Sequence, residues 1–456
     1  MHVMGPGHWT KIKLEQSVLF KKGKKPNILE AEKFNGAIPY INIEAFETGN
    51  IKQYADIKSS NICKKGDILV VWDGARFGLT GTNQEGAIGS TIMCLTPIEI
   101  KSEFLFKFIQ SKYPEIQQNP KGTGIPHVNP EVFWNFQVPL PPLTEQQRIV
   151  EKLDAILPRV KAARARLEKI PVLLKHFRQS VLTAACSGKL TEEWRENHAG
   201  KLVNIININE IKNHTLEIPN DWKVLLAKDA CENIECGSTP KGKPFSLNGE
   251  VPFLKVYNIV NQKIAFDYKP QFVSSDIHNK ELSRSKCYPY NILMNIVGPP
   301  LGKIAIVTNQ FPEWNINQAI VVFRPGEFID YRFLYFLLCS EEPIRKIINE
   351  TRGSAGQANI SLTQCRNLII PVPSLKEQHE IVRRVEKLFA LADSLEAKFN
   401  TAMQRIEKIE QSVLAKAFRG ELVPQDPNDE PAVELLKRIL EEKRKVVNKS
   451  AKTKRK

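Results

Sequence analysis

Apolar residues recur at alternating steps of four and three along two long stretches of the chain. In one they fall at Ile149, Leu153, Ile156, Val160, Ala163, Leu167, Ile170, Leu174, Phe177 and Val181. In the other they fall at Ile381, Val385, Leu388, Ala392, Leu395, Phe399, Ala402, Ile406, Ile409 and Val413. A stripe of this period predicts two long helices that bury their seams against each other as an antiparallel coiled coil. Each would extend about 50 Å at about 1.5 Å per residue. Pro158 and Pro171 interrupt only the first helix, where bends are expected. Thr144 with Gln147, and Ser374 with Glu377, have capping-box spacing at the two starts. Gly188 and Gly420 stand where a helix C-terminal glycine belongs.

The two helices belong to a duplication. Pro139-Leu-Pro-Pro-Leu-Thr-Glu-Gln-Gln-Arg-Ile-Val150 recurs as Pro371-Val-Pro-Ser-Leu-Lys-Glu-Gln-His-Glu-Ile-Val382, 232 residues later. Gln179-Ser-Val-Leu182, followed by Ala185, Gly188 and Leu190, recurs at the same offset. An unchanged register between two ends is what a rigid element imposes. The segments ahead of the helices are related as well. Trp9-Thr-Lys-Ile-Lys-Leu14 is echoed by Trp222-Lys-Val-Leu-Leu226, and Gly36-Ala-Ile-Pro-Tyr-Ile-Asn-Ile43 by Gly249-Glu-Val-Pro-Phe-Leu-Lys-Val256. Short β-rich runs bounded by Gly, Pro and Asn, such as 67–71, 304–308 and 319–323, predict mixed α/β globules. The expected division is a first globule at 1–142, a first helix at 143–190, a linker at 191–221, a second globule at 222–373, a second helix at 374–422, and an end at 423–456. Within that end, Glu430 to Glu442 predicts a short amphipathic helix beginning at Pro431. Its Val433, Leu435, Leu436, Ile439 and Leu440 would cover the first globule and close the chain into a pseudo-twofold circular arrangement.

Composition changes this picture little. The 456 residues are 42% hydrophobic and 25% charged, as in soluble globular chains of several domains. No window is apolar enough to span a membrane and the first residues lack a secretory signal, so a cytoplasmic location is expected. Eight scattered cysteines without Cys-x-x-Cys spacing predict reduced thiols rather than a metal site. The net charge of +15 is concentrated in residues 443–456, which hold eight Lys/Arg and no acid. That stretch is expected to project as a disordered basic end adding non-specific affinity for nucleic acid.

Two loops in comparable places carry the candidate DNA contacts. They are Lys21-Lys22-Gly23-Lys24-Lys25 and Ser238-Thr239-Pro240-Lys241-Gly242-Lys243, whose lysines, hydroxyls and amides can hold phosphates. Arg76, Lys121, Lys255, Asn258, Arg352 and Gln357 join them as neighbouring side chains able to meet phosphates or base edges. No catalytic constellation stands beside them. Gly298-Pro-Pro-Leu-Gly-Lys-Ile304 has one residue too few between its glycines, and Ile where a phosphate loop needs Ser or Thr. There is no Asp/Asn-Pro-Pro-Tyr/Phe loop and no dinucleotide-type glycine motif, and the eight histidines are isolated in sequence and read as structural or surface groups.

The duplicated Pro-Leu-Pro-Pro-Leu-x-Glu-Gln box and the twin Gln-Ser-Val-Leu-x-x-Ala-x-x-Gly-x-Leu ends resemble the conserved regions of the specificity subunits of type I restriction-modification systems. The opening Trp, the Gly237-Ser-Thr-Pro240 loop, Asp67-Ile-Leu-Val-Val-Trp-Asp-Gly-Ala-Arg-Phe-Gly78 and Gly353-Ser-Ala-Gly-Gln-Ala-Asn-Ile-Ser361 resemble their two target recognition domains. The first globule departs from the pattern at Lys22-Gly-Lys-Lys-Pro26. The resemblance implies a non-catalytic subunit that reads a bipartite, asymmetric sequence in double-stranded DNA, one half per globule. It also implies two modification subunits that methylate adenine with S-adenosylmethionine, and restriction subunits that use ATP and Mg. The alternatives are a stand-alone DNA-modifying enzyme and a coiled-coil spacer that binds proteins.

Overall fold

The computed structural model describes residues 9–122, 124–198, 218–242, 244–352 and 359–453. Two units emerge, one of Met1–Glu168 with Asn400–Lys456 and one of Lys169–Phe399. Each unit therefore takes one globule together with part of the helical region.

In the first unit the globule is closed by its own ends. Opening strand Thr10–Lys13 pairs antiparallel with Gln137–Leu140, the last strand before the helix. A four-stranded antiparallel sheet runs in the order Val18–Lys22, Ile92–Pro97, Ile68–Val71, Thr80–Thr82. Its central strands are apolar and buried over Ile68–Val71 and Ile92–Leu95 because both faces are covered. Side chains alternate across a strand, so Ile68 and Val70 join the core built on Phe104 and Phe108, while Leu69 and Val71 join a second core with Ile41 and Ile88. That second core lies against a mixed sheet in which Ala37–Ile41 and Gly86–Ile88 are parallel.

The second unit repeats the plan. Lys223–Leu226 pairs with Ile369–Val372. One sheet runs Cys231–Cys236, Ile320–Pro325, Ile292–Asn295, Ile304–Ile306, and in the other Val251–Leu254 is parallel to Trp314–Ile316. Ile292 and Met294 face one core and Leu293 another.

The first helical stretch is two helices, Leu143–Leu167 and Ile170–Cys186, and the second is one helix, Leu375–Arg419. The break falls next to Pro171, which occupies the first turn of the second piece, whereas Pro158 lies inside a continuous helix. In the first unit Ile149, Val150 and Leu153 share a core with Ala417, and Arg164 meets Glu410 at 3.1 Å. In the second unit Val181 and Leu182 share a core with Ile381 and Val385, and Arg178 meets Asp393 and Glu396 at 2.6 and 2.8 Å. The stripes are buried only in part: Ile149, Leu153, Leu174, Val181, Ile381, Val385 and Ala392 are covered, while Phe177, Leu395 and Ile409 stay exposed. Gly188 and Gly420 take left-handed backbone at φ 74° and 76°, the conformation a helix end asks of glycine.

Two expectations are corrected. Thr144 does not cap its helix, which has Pro142 at the N-cap; its hydroxyl bonds Asp429 instead. Ser374 does accept from the Glu377 amide at 3.3 Å, but the Glu377 side chain turns elsewhere. The end of the chain forms a helix over Ala432–Thr453, so the basic stretch expected to be disordered is helical as far as Thr453. Ala432, Leu435 and Ile439 are buried in the core of the first unit, and Val433 is exposed. Lys443 holds this helix at the carbonyls of Glu15, at 2.8 Å, and Val18.

Candidate nucleic-acid interface

The motif residues that recur in both units hold the globules on their helices. Glu145 accepts the indole N–H of Trp9 at 2.9 Å, and Glu377 that of Trp222 at 3.0 Å. Gln146 accepts the amide of Lys101, and Gln378 that of Asp330, each residue being the one that starts the next helix of its globule. All four side chains are buried. The Glu-Gln pair thus performs a structural task, since a buried carboxylate or amide must find partners.

The loops that differ between units present exposed lysines, Lys21, Lys24 and Lys25 in one and Lys241 in the other. Both begin at a glycine with no room for a side chain: a Cβ on Gly23 would lie 2.0 Å from the Gly89 carbonyl, and one on Gly237 would lie 2.1 Å from that of Asn317. The amide of Gly23 bonds Ile92 O at 2.8 Å and that of Gly237 bonds Ile320 O at 2.9 Å, so the two turns are equivalent. Lys24 and Lys25 of the first correspond to Ser238 and Thr239 of the second.

The candidate residues divide by what their side chains do. Lys21, Lys24, Lys25, Lys121 and Lys241 are exposed. Lys22 pairs with Asp73 at 2.7 Å, and Arg76 pairs with Glu47. Ser238 and Thr239 are partly buried, and the Thr239 hydroxyl donates to Gln318. The Lys241 amide donates to Glu281 at 2.6 Å. Lys255 stands over the Phe245 ring at 4.4 Å. Arg352 ends the helix Glu342–Arg352. Lys243 and Gln357 lie outside the described residues. Asn258 is the correction: it is fully buried, its Oδ1 accepts the Lys255 amide at 2.9 Å, and its Nδ2 donates to Tyr268 O at 2.9 Å. A side chain so engaged closes a turn of its own globule and has no edge left for a base.

Sequence reasoning passed over two residues. Asp73 and His127 meet at 2.8 Å, drawing together the Lys22 loop, the turn after Ile68–Val71, and the ribbon of Pro120–Lys121 with His127–Val128. The signal available was positional: Asp73 lies inside the Asp67–Gly78 motif and His127 just before the helix approach. Phe20 is a further exposed residue beside this loop, its ring 4.2 Å from that of Trp134.

The loop Gly298–Lys303 does not present its amides to a phosphate. Asn295 accepts the Lys303 amide at 2.6 Å and donates to Pro300 O at 2.9 Å, and its own carbonyl accepts the Gly302 amide at 3.2 Å. Burial pushes the thiols of Cys186, Cys231, Cys339 and Cys365 up to about 12, the opposite of an activated nucleophile. Among the described residues no group of His, Cys, Asp and Glu could hold a metal ion, and no helix is long and apolar enough to cross a membrane.

The family profile for the type I restriction modification DNA specificity domain matches residues 6–171 and 219–405. The type I restriction enzyme EcoBI specificity subunit of Escherichia coli is 29% identical over 91% of this chain and 87% of its own length. The EcoDI specificity subunit of the same species is 31% identical over 73% of this chain and 72% of its own. A solved structure described as showing complex assembly and conformational transition of the type I R-M system superposes with a TM-score of 0.67 at 20% identity, covering 92% of this chain and all of the other. The HsdS subunit from Thermoanaerobacter tengcongensis does so with a TM-score of 0.55 at 20% identity, covering 92% and 99%. The structural likeness establishes the fold.

Proposed function

The chain belongs to the type I restriction-modification DNA specificity family, and from that premise we propose how its two units share the work of recognition. As a specificity subunit it recognises a DNA target and is not itself the catalyst. Each globule reads one half of a bipartite, asymmetric sequence. The observation that carries this reading is the repeated scaffold with unlike loops, Lys24-Lys25 in one globule and Ser238-Thr239 in the other on equivalent glycine turns. Equal scaffolds dock on DNA alike, and unlike loops select unlike bases.

The exposed lysines Lys21, Lys24, Lys25, Lys121 and Lys241 meet phosphates. Lys22, Arg76, Ser238, Thr239, Lys255 and Arg352, with Lys243 and Gln357, are the further contacts the reading assigns. The partners are two modification subunits and, in the full complex, restriction subunits; S-adenosylmethionine, ATP and Mg are used by those partners. Leu173, Phe177, Leu391 and Leu395 supply the helices with exposed apolar side chains for a partner to cover.

The test is replacement of residues 222–373 by the matching segment of a relative with a different target, followed by sequencing of methylated bases in cells that also carry the modification subunits. One half of the methylated motif should change and the other persist. A change in both halves would refute the division of labour.

A further inference from the structure

Three loops meet at one carboxylate in the first unit. Asp73 Oδ2 lies 2.7 Å from Lys22 Nζ, and Asp73 Oδ1 lies 2.8 Å from His127 Nδ1. Where the neutral ring donates from Nδ1 to this carboxylate, Nε2 is the nitrogen that accepts a hydrogen bond. The Lys22 ammonium has three donors, so its pairing with one carboxylate leaves it able to donate elsewhere. The group is neither buried nor loose: the side chains of Lys22, Asp73 and His127 are 47%, 20% and 41% exposed. Exposed Lys24, Lys25 and Lys121 stand on the same loops.

The second unit has the same backbone here with different chemistry. A bridge between Val297 and Asn359 takes the place of the bridge between Asp73 and His127. Lys22 pairs with Met93 as Cys236 pairs with Val321, one residue before each glycine turn. Lysine, aspartate and histidine are thus replaced by cysteine, valine and asparagine at matching places.

We propose that Lys22, Asp73 and His127 form the specificity-determining centre of the first globule, an inference that rests on the DNA-recognition reading above. Lys22 donates to, and His127 Nε2 accepts from, a base edge that presents an acceptor beside a donor. Adenine offers this as N7 beside its N6 amine, and a G·C pair as guanine O6 beside the cytosine N4 amine. Asp73 is the positioning residue that orients both.

The experiment takes the full chain assembled with its modification subunits, mixes it with a pool of randomised duplexes, and sequences the bound fraction. Asp73→Asn, His127→Gln and Lys22→Met are compared with the parent chain, with a melting temperature for each. Discrimination at one or two positions of one half-site should fall about ten-fold, with the other half unchanged. His127→Gln, at a half-exposed ring, carries the test should Asp73→Asn melt early. Enrichment identical to the parent, or a loss spread evenly over both halves, overturns the proposal. A parent complex that enriches no sequence overturns the underlying reading with it, and is told apart because no substitution is involved.

Discussion

Glu377 is the residue whose removal should do most damage for its size. Its side chain is 3% exposed and its two oxygens take three donors: the Thr191 hydroxyl at 2.8 Å, the Trp222 indole at 3.0 Å, and Arg195. Glu377→Ala strands the Thr191 hydroxyl and the Trp222 indole and removes one partner of Arg195. Breaking a buried charge pair costs about 3–5 kcal/mol. Arg195 softens the loss because it also donates to Gly188 O at 2.9 Å and lies 3.9 Å from Asp221, which places the expectation at about 3 kcal/mol. For a unit of this size that is a fall of about 6–12 °C in melting temperature. Glu377→Gln keeps the shape but turns an amine toward the donors, and should lie between the two. Trp222→Phe removes one bond to a charged acceptor, about 1.5–3 kcal/mol, and combined with Glu377→Ala should add less than its own cost. The assay is calorimetry of the full chain with amide hydrogen exchange, which reads peptides of residues 222–226 and 375–385 against peptides of the first unit. Unchanged melting and exchange in Glu377→Ala would show that the network does not hold the second globule on its helix.

Four further outcomes follow from the same geometry. Gly23→Ala must move the Gly89 carbonyl, so it should cost roughly 1–3 kcal/mol in calorimetry and weaken DNA binding, as should Gly237→Ala against Asn317. Lys24→Ala with Lys25→Ala should lower the slope of log affinity against log salt by about 1.8 and leave the recognised sequence unchanged. Truncation of residues 425–456 removes buried Leu435 and Ile439, each worth about 1.5–3 kcal/mol, and should lower the melting of the first unit, whereas loss of 444–456, which spares the Lys443 anchor, should cost it little. The Glu380 carboxyl is held down at about 2 by its bonds to Arg383 and Arg384, so the stability it lends is complete above about pH 4.3 and fades as pH falls toward 2; Glu380→Gln should flatten the acid limb of a pH-stability curve in that window.

The sequence reading succeeded where a pattern is local or repeated. The helix seams, the glycine ends at Gly188 and Gly420 and the docked C-terminal helix all follow from spacing, which the backbone enforces within a few residues. It failed where a side chain chooses between near and far partners. Glu377 has the spacing of a capping box, yet it bonds Trp222, 155 positions away, because that indole is buried and needs an acceptor. Asn258 has a side chain able to meet a base edge, but its own turn consumes it. Basic charge at Lys443 suggests disorder, and two backbone carbonyls hold it in a helix. Asp73 and His127 stand 54 positions apart, so no local spacing could join them.

The division between what the two units share and what they do not has a physical basis. The shared residues are those that the backbone or the core dictates. Gly23 and Gly237 have no room for a side chain, and Trp9 with Glu145 and Trp222 with Glu377 satisfy buried polar groups. A change at any of them costs stability whatever the DNA sequence. Lys24, Lys25, Lys121 and Lys241 are exposed side chains on loops already fixed at both ends, and substitutions at such places usually stay within about 0.5 kcal/mol. Recognition can therefore drift at the loops while the fold stays intact, and a half-site can change without unfolding the globule that reads it. The Lys22, Asp73 and His127 centre stands between these classes. Its backbone bridge is shared with Val297 and Asn359 and its side chains are not, so a new set of side chains there alters what is read without disturbing how the loops meet.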